Sequence, residues 1–247
     1  MFNNDKVGLI LDFGHGGSDP GSTWYNGNKE KDYTLKIGLL IYNILKPHLK
    51  NIKLIRNQDT SIALNDRPKI MNEYSNKFDQ VEVYSFHTNA FNKISRGIEI
   101  LLSIHNKSTD NDWCTYFMKE YDKKFSIPLR GIVKRESSNN PGKDYYCLHR
   151  KTNSKCKVKI IEFGFGDNSA DGKIMNDKIN EIALFTAQKI AERFGIEIDN
   201  KKDWEDILKE VSPDYNKIWI DFVKRYHSPS LNVKGLIEKL YWTTPKK

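Results

Sequence analysis

Cysteine is scarce in this chain of 247 residues, with only Cys114, Cys147 and Cys156. The number is odd and no pair has C-x-x-C spacing, which excludes a disulfide framework and a thiolate zinc site. Synthesis in a reducing compartment is expected. No apolar run approaches the roughly 20 residues that span a membrane. The first residues lack a basic segment followed by an apolar stretch of signal-peptide length. The expectation is a protein made in the cytoplasm without a signal peptide, reaching any extracellular target by another route. Several catalytic signatures are missing as well. No His is followed by Glu, so the two-histidine zinc helix is excluded, and His15 does not open an H-x-x-E pattern. There is no phosphate loop ending in Gly-Lys-Ser or Gly-Lys-Thr and no Gly-x-Ser-x-Gly nucleophile elbow. Internal repeats and low-complexity tracts are absent.

What is present is 38% hydrophobic and 29% charged residues, enough for one sizeable domain with a small appendage. The net charge of +8 attracts polyanions such as nucleic acid, anionic headgroups or phosphate-rich wall polymers. A solvated surface with a lysine bias is the plainer reading.

Strand and helix patterns alternate along most of the chain. Strands are expected over residues 7–11, 52–56, 81–87, 97–104, 144–148 and 158–163. Helices are expected over 33–45, 63–74, 109–124 and 171–194, the last as one long element. Residues 128–142 read as a basic, turn-rich segment. This is an α/β domain with a twisted, mostly parallel or mixed sheet flanked by helices. The domain is expected to end at residue 195, followed by a linker over 196–202. Residues 203–247 carry three amphipathic pieces and read as a small helical module. Its aromatics suit either sugar stacking in a wall anchor or core packing, docking on the main domain or self-association.

Four polar residues stand at strand ends or in the loops that follow them: His15, Glu30, His87 and Glu162. Neighbouring strands of such a sheet bring their C-terminal ends to one edge, where ligands bind. Glu162 interrupts the apolar run Ile160-Ile161-Glu162-Phe163, and a buried carboxylate needs pairing, coordination or a proton. Two His and one Glu make a catalytic zinc set with an open position. A further carboxylate serves a zinc hydrolase as general base. Each residue also has a plainer reading: His15 in a turn, His87 satisfied in the core, Glu30 in a charge cluster with Lys29 and Lys31, Glu162 paired with Arg96 or Arg130. The remaining histidines, His48, His105, His149 and His227, read as surface residues.

Six stretches occur together in one order. They are Asp12-Phe13-Gly14-His15-Gly16-Gly17-Ser18-Asp19-Pro20-Gly21, Glu30, Ser85-Phe86-His87-Thr88-Asn89-Ala90, Arg96-Gly97-Ile98-Glu99, Arg130-Gly131 and Ile161-Glu162-Phe163-Gly164-Phe165-Gly166-Asp167-Asn168. Over roughly residues 7–195 the chain thereby resembles the zinc-dependent N-acetylmuramoyl-L-alanine amidases of the amidase-3 type. The resemblance implies Zn2+ held by His15, Glu30 and His87, with Glu162 as the catalytic glutamate. It implies cleavage of the amide between N-acetylmuramic acid and L-alanine in bacterial peptidoglycan. Asp12 and Asn89 are candidates to support the ligands, and Asn89, Arg96 and Arg130 to touch substrate. Phe13, where the family has Pro, and Phe86 and Thr88, in place of Ile and Ala, are departures that bear on loop geometry.

With no export signal, such an enzyme is expected to be a phage or prophage endolysin, acting on the wall after release. A sporulation autolysin of the same chemistry is the second reading. A peptidase cutting the peptide stem is a third. A non-enzymatic protein binding an anionic wall polymer or nucleic acid is the fourth. Glu30 and Glu162 speak against an anion cradle, so nucleic acid is not an expected partner. The oligomeric state has no signature in the sequence.

Overall fold

The computed structural model describes residues 2–198 except 4 and 107. The expected linker beyond residue 198 and the helical module over 203–247 lie outside the described residues. The elements run β1 (Val7–Phe13), α1 (Glu30–Leu45), β2 (Ile52–Leu54), α2 (Arg67–Ser75), β3 (Gln80–Asn89), β4 (Ile98–Leu102) and α3 (Ser108–Phe125). They continue with β5 (Leu129–Lys134), β6 (Glu136–Ser137), β7 (Asn140–Asp144), α4 (Cys147–Lys151), β8 (Cys156–Phe165), α5 (Ser169–Asp177) and α6 (Ile179–Arg193).

Six strands form one sheet in the order β2-β1-β3-β8-β4-β5. Every neighbouring pair is parallel except β4 and β8. The fold is therefore the mixed sheet with flanking helices that the alternating pattern implies. Side chains alternate between the faces of the sheet. On one face Phe13, Phe86 and Phe163 join Tyr121, Phe117 and Phe185 in a chain of ring contacts beneath the helices. On the other face Ile10, Val81, Val83, Val158, Ile160 and Leu101 pack with Met71 of α2 and Leu148 of α4. The same parity carries this second face on to Asp12, Ser85, His87, Glu162 and Glu99, because their strands are in register. Apolar packing thus gives way to polar chemistry along one face, toward the C-terminal ends of β1, β3 and β8.

Four local expectations need correction. Residues 128–142 are not merely turns, since β5 closes the sheet there. None of its residues is buried and it carries Arg130 and Lys134, which suits an edge strand and hides the usual alternation. Residues 144–148 are not a strand: β7 ends at Asp144 and α4 begins at Cys147. The long helix is two, because Lys178 leaves helical geometry at φ −111°, ψ 20°. Asn176 and Asp177, poor helix formers, precede this break. His149 is buried, with only 9% of its surface exposed, rather than at the surface.

Buried charge is compensated within the first face. Lys159 sits within β8 between Val158 and Ile160 and is fully buried. Its Nζ lies 2.9 Å from Glu82 Oε2 and 3.1 Å from Asp110 Oδ1, and Arg193 joins the same two carboxylates at 3.3 and 3.0 Å. Two cations facing two anions make that burial tolerable.

Candidate metal centre

β1 delivers the chain to a loop that turns sharply at His15, whose φ is 62°. A non-glycine residue in that region is strained and needs support. Two arginines supply it. Arg67 Nη2 donates to the His15 carbonyl at 2.6 Å, while its Nη1 binds the Asp12 carboxylate and the Phe13 carbonyl. Arg56 donates to the carbonyls of Phe13 (2.8 Å), Gly14 (2.9 Å) and Lys31 (2.8 Å). Asp12 thus acts on the loop through Arg67. Neither arginine stands out in a chain with 40 Lys and Arg residues, so sequence reasoning missed both.

Glu30 is the first residue of α1, three residues before the expected helix start. A carboxylate is favoured in a first helical turn. Its Oε2 accepts the Ser22 N–H at 2.9 Å, and its Oε1 accepts the Thr88 N–H at 3.0 Å. The same Oε1 lies 3.1 Å from His15 Nε2 and 3.1 Å from His87 Nδ1. His15, Glu30 and His87 each present a ligand atom within 4.8 Å of the others, a group that could hold a metal ion. Asp19 Oδ2 contacts His15 Nδ1 at 2.8 Å, which leaves Nε2 facing the cluster.

Glycines make room for these rings. A Cβ on Gly14 would lie 2.3 Å from His87 Cε1, and one on Gly21 would lie 2.7 Å from His15 Cδ2. Phe13 points to the opposite face and packs against α1 where Gly38 leaves space. This departure from the family pattern therefore enlarges the aromatic core and leaves the site side of the loop untouched. Thr88, also a departure, accepts a hydrogen bond from Trp24 Nε1 at 3.1 Å.

Burial works against charge on His15, yet hydrogen bonds and attraction from Glu30 and Asp19 push its imidazole up to about 9. Burial likewise opposes ionisation of Glu30, but His15 and His87 hold its carboxyl far below the usual range. Two imidazoles that hold protons against an ionised Glu30 form a site where a divalent cation can replace those protons.

Glu162 stands beside His87 in the β3–β8 register. Its Oε2 is buried with no hydrogen-bond partner among the described residues. Burial pushes its carboxyl up to about 7, with Glu30 and Glu99 adding to the rise and His87 opposing it. The expected alternative partners are engaged elsewhere. Arg96 Nε donates to Asp171 at 2.7 Å, and Arg130 Nε to Glu99 at 2.8 Å. Asn89 Nδ2 also reaches Glu99, at 2.6 Å. Asn89 and Arg130 thus meet at Glu99, the strand neighbour of Glu162, while Arg96 is drawn to α5. Glu99 was not foreseen as part of this group, although its strand position opposite Glu162 is visible once pairing is known.

Sheet order and site together define an α/β amidase fold. The same fold is seen in the catalytic domain of CwlV, an N-acetylmuramoyl-L-alanine amidase from Bacillus (Paenibacillus) polymyxa var. colistinus. The TM-score is 0.62 at 24% identity, over 78% of this chain and 99% of that domain. The N-acetylmuramoyl-L-alanine amidase family model matches residues 9–192, and the chain belongs to that family. Among its relatives is the sporulation-specific N-acetylmuramoyl-L-alanine amidase of Bacillus subtilis, 38% identical over 86 residues, covering 34% of this chain and 32% of that protein. Another is the probable cell wall amidase LytH of Staphylococcus epidermidis, 24% identical over 181 residues, covering 70% of this chain and 52% of the relative. The chain thus spans about a third and about half the length of these two curated relatives. Among the described residues, no helix is long and apolar enough to cross a membrane.

Proposed function

We propose that this protein hydrolyses the amide bond between N-acetylmuramic acid and L-alanine in bacterial peptidoglycan. Zn2+ would be held by His15, Glu30 and His87, with Glu162 as general base and acid. The observation that carries this reading is the convergence of three N/O donors beside a carboxylate with one buried oxygen that has no partner among the described residues. The donor set fits zinc, which takes imidazole and carboxylate ligands and keeps an open position in catalytic sites.

When bound, zinc supplies Lewis-acid polarisation of a carbonyl and lowers the pKa of water. Glu162 takes a proton from the attacking water at its carboxylate. It then delivers that proton to the departing L-alanine nitrogen, so the amine leaves neutral. Asp19 keeps His15 in one tautomer, and Arg67 and Arg56 hold the loop that aims it. Asn89 and Arg130 are suited to contact substrate beside Glu162, Arg130 by pairing with a peptide-stem carboxylate; Arg96, held by Asp171, is the weaker candidate. Lysis of a phage host and action late in sporulation both draw on this chemistry, and the endolysin setting is the one proposed. Beyond residue 198, the segment 203–247 is proposed as the wall-directed module, with anionic wall polymers as partners.

The test is Glu162→Gln. Near-stoichiometric zinc by elemental analysis should persist, while release of L-alanyl peptides from purified wall, followed by mass spectrometry, falls by about 10²–10⁴-fold. A variant with full wall hydrolysis would reject the assignment of Glu162. Fragments cut within the peptide stem would reject the bond.

A further inference from the structure

The connection from β3 to β4 has an unusual task. Because β8 lies between these strands in the sheet, residues 90–97 must cross over the C-terminal end of β8. That crossing sits at the rim of the site, since β3 carries His87 and β8 carries Glu162. The crossing is tied down along its length. Asp167 Oδ2 accepts the N–H groups of Phe91 (3.0 Å) and Lys93 (2.9 Å). Asn92 Oδ1 accepts those of Ile94 and Ser95, and Asn168 Nδ2 donates to the carbonyls of Lys93 and Ile94. Lys93 is held at φ 63°. On this fixed frame Phe91 is 79% exposed and Ile94 81%. Isolated exposed apolar side chains are ordinary. Two of them three residues apart, on a loop held at both Asp167 and Asn168, form a built apolar edge.

We propose that Phe91 and Ile94 seat the glycan strand that flanks the scissile muramic acid, with one pyranose ring stacked on Phe91. The inference rests on the amidase reading given above. The uncharged, apolar side chains of Phe91 and Ile94 select the glycan over the peptide stem, with Lys93 between them an exposed cation. Stem carboxylates suit the side of the site where Arg130 meets Glu99. The glycan strand is uncharged and presents apolar C–H faces, which match an aromatic ring and an aliphatic branch. Phe91 follows His87 by four residues, so their Cα atoms are at most about 14 Å apart, within reach of a neighbouring sugar.

The experiment compares wild type with Phe91→Ala, Ile94→Ala and Phe91→Trp on two substrates. One is a muramoyl-L-alanyl peptide with a single sugar. The other bears the same peptide on a tetrasaccharide of alternating N-acetylglucosamine and N-acetylmuramic acid. Melting temperature and zinc content are recorded for each protein. For Phe91→Ala, KM on the tetrasaccharide should rise about tenfold with kcat unchanged, the size expected of one aromatic stacking contact. Kinetics on the single-sugar substrate should stay at the wild-type value. Ile94→Ala should show a smaller rise of the same kind, and Phe91→Trp should retain wild-type KM. An unchanged KM on the tetrasaccharide, or an equal loss on both substrates, overturns the proposal. A wild type that cuts neither substrate overturns the amidase reading and the rim with it, an outcome distinguished by the failure of the unmodified protein.

Discussion

Gly14 has no space for a side chain, because the His87 imidazole occupies the position its Cβ would take. Gly14→Ala should therefore leave the fold largely intact but displace His87. Zinc affinity, measured by competition with a chromogenic chelator, should fall at least tenfold, in line with losses seen when a ligand's support is disturbed. Asp19 acts at the same scale and through chemistry instead of sterics. Asp19→Ala frees His15 Nδ1, so ring orientation and basicity are both lost. A 10–100-fold weaker zinc affinity is expected. Asp19→Asn, which retains a hydrogen-bonding oxygen, should recover part of it. These residues were legible in the sequence as a Gly-rich loop around a His. The two arginines that hold the loop were not, because a buried Arg looks like any surface Arg until its partners are known.

At the scale of the element, β8 shows how a strand carries both stability and chemistry. Its alternate residues send Lys159 into a buried charge cluster on one face and Glu162 into the site on the other. Lys159→Ala would leave Glu82 and Asp110 facing Arg193 alone. Removing one member of a buried ionic group costs about 3–5 kcal/mol, which chemical denaturation should read directly. Lys159→Met, which preserves packing length, should not recover that loss, because the uncompensated carboxylate remains. α5 makes a related point. Its first turn, close behind the end of β8, sets Asp171 at the strand ends, where its carboxylate accepts Arg96 Nε and the N–H groups of Gly97 and Phe165. Asn168 caps this helix and fixes the crossing loop as well. Helical periodicity ran through the break at Lys178 because both helices bury the same kinds of residue. The backbone of Lys178, outside helical geometry, is what distinguishes two helices from one.

The whole molecule has a pH dependence that can be worked out from His149. Burial pushes this imidazole down to about 4 from an ordinary 6.5. The unfolded chain therefore binds a proton at His149 between pH 6.5 and 4, while the folded protein does not. The stabilisation is complete above pH 6.5 and is lost progressively as pH falls toward 4. The full difference amounts to at most about 3 kcal/mol. Comparison of wild type with His149→Leu by urea denaturation at several pH values should show the variant with the flatter profile across that window. Metal works on the whole molecule in the opposite direction. If zinc binds only the folded chain, a free concentration of 100 Kd should add about 2.7 kcal/mol to stability. The shift should vanish with chelator and should be absent when His15 and His87 are both replaced by Ala.

Local sequence determined the alternation of strands and helices, because buried strands and amphipathic helices each leave a periodic apolar signature. It also determined the order of the site residues and, through their combination, the family to which the chain belongs. Tertiary structure decided what depends on neighbours distant in the chain. It set β5 as an edge strand, buried His149, paired Lys159 with Glu82 and Asp110 from other elements, and assigned Arg56 and Arg67 to the His15 loop. It also decided which carboxylate near the site is left without a partner. Glu99 is engaged by Asn89 and Arg130, whereas Glu162 keeps one buried oxygen without a partner among the described residues. The reason is physical: periodicity is a property of adjacent residues, whereas charge compensation and proton affinity are set by atoms brought together only when the sheet assembles.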